Sequence, residues 1–123
     1  MDTVATHPPA PSVWDIVRVD FPFADRAETR RRPALVIAVV PVHADFALLW
    51  LAMITSASAG LWPLDVPISD LVSGGLLRPC VIRTSKIASL DSRLFVRTGT
   101  LAPADREAIA TTLKGVLRPI LTP

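Results

Sequence analysis

With 123 residues, half of them apolar, and a formal net charge of +2, the chain has the make-up of one folded domain and excludes an intrinsically disordered protein. Its longest apolar run, Phe46 to Ile54, is too short to cross a bilayer as a helix and suits a strand through a core. The one cysteine, Cys80, cannot form an internal disulfide, and "MDTVATHPPAPS" lacks the basic stretch and apolar core of a secretory signal, so a soluble cytoplasmic protein is expected.

In chain order, residues 1–12, with Pro8, Pro9 and Pro11, read as a flexible or extended arm ahead of a single domain over 13–121. "VWDIVRVDF" (13–21) has the mixed pattern of a half-buried strand, ended by Pro22. Residues 23–32 form a charged loop that finishes in three consecutive arginines, Arg30 to Arg32. An apolar strand at 34–40 is expected to stop at Pro41, and a turn through His43–Asp45 leads into the strand 46–56. A loop containing Trp62, a short strand at 64–68 and a turn at Gly74-Gly75 come next. Residues 79–90 read as a strand kinked near Ser85, and 93–101 as the last strand.

A terminal helix follows. Pro103 suits its first position, Asp105 and Glu107 suit its positive end, and Ile109, Leu113, Val116, Leu117 and Ile120 make one stripe. Ala102 is a poor cap, so the first turn is expected to fray, and Pro119 is expected to break the helix near its end. Short strands plus one helix predict a mostly β fold, a small antiparallel barrel with a C-terminal α-helix.

The arginine run raises a question of purpose, because like charges this close repel unless water or a polyanion solvates them. The strings "DIVRVDFPF" (15–23), "RRPALVI" (31–37), "MITS" (53–56) and "SKIASLDSRLFVRTGTLAPAD" (85–105) occur in this order. Together they resemble the MazF/PemK toxins of type II toxin–antitoxin systems, over nearly all the chain after the arm. The resemblance implies an SH3-like barrel, a homodimer, a cognate antitoxin, and sequence-specific, metal-independent cleavage of single-stranded messenger RNA that inhibits growth. It also implies no cofactor.

By that resemblance the arginine of the "RP" pair is Arg32, the threonine of the "TS" pair is Thr55, and the acidic loop residue is Glu28. Two departures stand out: Trp14 occupies a position where many members have glycine, and "ADRAETR" replaces a glycine-serine-glutamate-glutamine loop. The chemistry suits the residues. An arginine is a poor base but a good bidentate clamp on phosphoryl oxygens. Thr55 supplies a neutral donor, and Glu28 is the candidate base for the 2′-hydroxyl. Arg30, Arg31, Ser56, Lys86 and Trp62 are the candidate RNA-binding residues.

Other combinations carry less. His7 and His43 lie in an arm and a turn, and with one cysteine they make no metal set. Cys80 reads as a small buried hydrophobe and Trp50 as core. The strands at 34–40 and 46–54 are apolar on both faces, so the helix, a second subunit or both must cover the outer one. A gyrase-poisoning toxin of the same fold, and a catalytically degenerate RNA- or antitoxin-binding module, remain as alternatives.

Overall fold

The computed structural model describes residues 10–20 and 31–122; Glu28 and Arg30, His7 and most of the N-terminal arm lie outside them. The described residues form strands β1 (Asp15–Asp20), β2 (Arg31–His43), β3 (Phe46–Ser56), β4 (Asp65–Pro67), β5 (Cys80–Asp91) and β6 (Val96–Thr100), then helix α1 (Pro103–Leu121). All pairings are antiparallel. They make one sheet in the order β4-β5-β3-β2-β1-β6, with β4 and β6 at its edges. The expected mostly β architecture with a C-terminal helix is therefore present, as a sheet with free edges and not a closed ring.

Each face of the sheet has its own apolar cluster. Val17, Val19, Ala34, Val36, Leu49, Leu51, Met53 and Ala88 form one. Ile16, Leu35, Ala52, Ile54 and Ile82 form the other, closed by Ile68, Leu76, Leu101 and Ile109 of the later chain. Neighbouring strand residues alternate between the two, as the two-residue period of a strand requires. That division explains why β2 and β3 read as apolar throughout.

The kink expected near Ser85 is a β-bulge. Ala52 pairs with Ile87 while Met53 pairs with Arg83, so residues 84–86 have no counterpart on β3. Pro41, in contrast, does not end β2, which runs on to His43. Beyond Leu35, β2 has no β1 partner, so the missing N–H of Pro41 falls on an unpaired side where proline is tolerated.

Helix α1 departs from expectation at both ends. Ala102 makes no side-chain cap, but the first turn is tied down by Asp105, whose carboxylate accepts from the Ser69 N–H and hydroxyl and the Asp70 N–H. Pro119 sits inside the final turn, where little helix remains to be disrupted, and the helix continues to Leu121. Of the apolar stripe, Ile109 is buried and Leu113 half-buried, whereas Val116, Leu117 and Ile120 are exposed.

The turn preceding β5 is locked onto β6. Gly75 has φ +71°, and the Thr100 N–H donates to the Ser73 carbonyl at 3.0 Å. A Cβ at Gly99 would run into the Ser73 carbonyl oxygen, so the close approach needs glycine there.

Candidate functional site

The β2–β3 hairpin sets the geometry of the leading pair. Ala34 pairs with Met53. Continuing that antiparallel register two residues along each strand brings Arg32 and Thr55 to facing positions, on the face that Ala34 and Met53 share. Both are still in strand, since β2 begins at Arg31 and β3 ends at Ser56. Arg32 is half-buried and Arg31 exposed. Arg32 has no ion pair with another described residue. Thr55 is 8% exposed, and no described residue hydrogen-bonds its hydroxyl.

Ser56 is differently employed. Its hydroxyl accepts from the Ser58 N–H at 3.3 Å and lies 2.8 Å from the Ser58 hydroxyl, capping the 3₁₀ turn Ala57–Ala59. His43 is at the far end of β2 from Arg32, beside Asp45 on the surface. His43 therefore does not converge with Arg32. Among the described residues no group of three His, Cys, Asp or Glu is placed to hold a metal. Burial pushes the Cys80 thiol up, against the opposing charge of Arg18, so it stays protonated near neutrality.

One row further along the same face is a group that the sequence reading missed. Arg83 pairs with Met53 on one side and Asp65 on the other. The Arg83 and Asp65 side chains form an ion pair, Nη2 to Oδ2 at 3.0 Å, only 6% and 3% exposed. Arg83 Nε also donates to Asp65 Oδ1, and Nη2 donates to the Gly60 carbonyl at 2.7 Å. Burial alone would raise the Asp65 pKa. Hydrogen bonds from Arg83 and the Trp62 N–H, with the arginine's charge, outweigh it and hold the carboxyl below its ordinary value.

Trp62 lies on top of this pair. Its ring centroid is 4.1 Å from the Arg83 guanidinium carbon and 5.5 Å from Lys86 Nζ. Its backbone N–H donates to Asp65 Oδ2 at 2.8 Å, and Thr84 Oγ1 donates to the Leu64 carbonyl at 2.8 Å. Arg32 and Thr55 thus lie at adjoining ends of the paired strands β2 and β3, and Trp62 meets Arg83 and Lys86 near the bulge of β5. The only forewarning in the sequence was Arg83 itself, a charge inside an apolar strand.

Trp50 corrects an expectation. It is 45% exposed, on the sheet face that carries Ala52 and Ile54, with Ile87 exposed nearby. The helix covers that face around Ile109 and does not reach this end of it.

A family model described as a PemK-like, MazF-like toxin of type II toxin–antitoxin systems matches residues 12–117. The chain belongs to this family. Its fold is shared by solved MazE–MazF complexes from Deinococcus radiodurans: crystal forms II and III each align with a TM-score of 0.62 at 18% identity, covering 89% of this chain and 97% of that one. No curated protein matches the chain. The family match spans every strand and most of α1, so the PemK/MazF motifs quoted above fall on matched positions. The glycine-to-Trp14 departure has a structural counterpart: Trp14 has φ +79°, a conformation that glycine adopts freely and a bulky residue rarely does.

Proposed function

We propose that this PemK/MazF-family protein is a growth-inhibiting endoribonuclease toxin that cuts single-stranded messenger RNA without a metal. The observation that supports it is the β2–β3 register, Ala34 opposite Met53, which carried on two residues along each strand leads to Arg32 and Thr55. In the proposed reaction the 2′-oxygen of the substrate attacks the adjoining phosphorus and loses its proton to a base. The 5′-oxygen leaves with a proton, giving a 2′,3′-cyclic phosphate and a 5′-hydroxyl. Arg32 would hold the non-bridging oxygens as charge builds on them, and Thr55 would donate to the same group. Glu28 is the base implied by the family alignment and lies outside the described residues. Arg31 and Arg30 would attract backbone phosphates in a salt-dependent way.

A cognate antitoxin is the proposed protein partner, supported by family membership and by the MazE–MazF composition of the similar structures. A homodimer is proposed for the uncovered apolar surface. Trp50 and Ile87 on the sheet, and Val116, Leu117, Ile120 and Leu121 on the last turns of α1, are all exposed.

The test is incubation of end-labelled single-stranded RNA with the protein and with Arg32→Ala, in EDTA. Discrete cuts bearing 5′-hydroxyl ends, reduced about 10²- to 10³-fold in the variant, are expected. RNA left intact by both proteins would remove the nuclease reading and return the chain to the gyrase-poisoning or binding-module alternatives.

A further inference from the structure

The loop 57–65 carries an arrangement that stability alone does not explain. A buried ion pair is weak support for a fold, because desolvation offsets most of its attraction. Here both carboxylate oxygens of Asp65 are committed, Oδ1 to Arg83 Nε and Oδ2 to Arg83 Nη2 and the Trp62 N–H. The guanidinium that this pair fixes has its carbon over the Trp62 ring, 4.1 Å from the centroid. Trp62 nevertheless stays 46% exposed. A hydrogen-bonded ion pair thus underlies an aromatic residue that keeps nearly half its surface accessible. Leu64 is held at φ +70° in the same loop, a left-handed conformation unfavourable for leucine that the surrounding bonds maintain.

Position gives this surface a use. Arg83 pairs with Met53, and Thr55 lies two residues along β3. Standard sheet spacings then put the Arg83 and Thr55 backbones about 8 Å apart. Arg83's charge is matched by Asp65, so the ring above it is suited to a base more than to a phosphate. The Lys86 ammonium, 5.5 Å from the ring centroid, adds positive potential for the strand that carries the base. Aromatic faces of this kind bind unpaired bases with little regard to sequence, as every base offers a π-face.

We propose that Trp62 is a stacking platform for an unpaired base next to the scissile phosphate, with Asp65 and Arg83 as the positioning residues that hold it. The inference rests on the ribonuclease reading above and deepens it.

The experiment measures binding of a short 2′-O-methyl RNA of mixed sequence, which cannot be cut at its 2′-oxygens, and in parallel the cleavage of unmodified RNA. Trp62→Ala is expected to raise Kd about 5- to 150-fold at fixed salt. The loss should appear in KM more than kcat, with the salt dependence unchanged because no phosphate contact is removed. Trp62→Phe should restore most of the affinity. Asp65→Asn should weaken binding to a similar extent, and combining it with Trp62→Ala should add nothing. Wild-type binding and cleavage retained in Trp62→Ala would overturn the platform and leave the ribonuclease reading standing. Independent, additive losses would overturn the positioning role of Asp65. Failure of the unsubstituted protein both to bind and to cut RNA would overturn the parent reading and the platform with it.

Discussion

Asp105, at the start of α1, reaches the segment before β5 through Ser69, whose hydroxyl donates to Asp105 Oδ1 at 2.7 Å and whose N–H donates to it at 3.1 Å. With the Asp70 N–H on the other oxygen, one carboxylate ties the helix to a turn 35 residues earlier in the chain. Burial works to raise its pKa, and the bonds from Ser69 and Asp70 more than reverse this, leaving it below the ordinary value. A depressed folded-state pKa means the stabilisation is complete above the unfolded pKa, near 4, and is lost as pH falls through the folded one. Asp105→Ala should cost about 1–3 kcal/mol at neutral pH. In urea titrations, the gap between the two proteins should narrow below about pH 4.

Trp14 combines an unfavourable backbone with favourable packing. Its N–H donates to the Val36 carbonyl, its carbonyl accepts from the Leu101 N–H, and the Arg106 guanidinium carbon is 5.4 Å from its ring centroid. Both Trp14→Ala and Trp14→Gly lose the ring and should be destabilised. Only the glycine variant is also relieved of left-handed strain, about 1–2 kcal/mol. Trp14→Gly should therefore be the more stable of the two, the reverse of the usual order, by chemical denaturation.

Gly99 is where the turn at Ser73–Gly75 meets β6. A methyl group there would meet the Ser73 carbonyl oxygen and come within 2.5 Å of the Gly74 carbonyl carbon, both backbone atoms that cannot rotate away. Gly99→Ala should cost about 1–3 kcal/mol. It should also speed hydrogen exchange at the Thr100 amide, which donates to Ser73. Gly115, with open space around it, should accept alanine with no such penalty.

If the exposed apolar surface is a dimer interface, charge placed in it should dissociate the protein. Trp50→Glu and Leu117→Glu should each weaken self-association at least tenfold in sedimentation equilibrium while leaving the monomer folded, since both sites are exposed. Unchanged mass in both variants would move the interface elsewhere.

Some of this architecture was legible before any coordinate. Alternation and proline punctuation located the strands, Pro103 located the helix start, and the resemblance to the MazF/PemK motifs singled out Arg32 and Thr55. Such features are local: a hairpin's pairing follows from the two strands and the turn between them. The kink at Ser85 was legible for the same reason. Pro41 and Pro119 misled because the effect of a missing N–H depends on whether a partner was waiting for it, which is a matter of neighbours.

The candidate site divides the same way. Arg32 and Thr55 sit on the two strands of one hairpin, and the sequence reading named them through the family resemblance. The Arg83–Asp65 pair joins residues from different strands, and neither has a local pattern that announces the other. Trp50 looks like core in any one-dimensional reading, because its strand is apolar end to end. It is nevertheless 45% exposed, which no pattern within its strand announces. Periodicity tells which residues share a face, whereas burial depends on what the rest of the chain lays over that face. The first is written in consecutive residues; the second exists only once distant segments have packed.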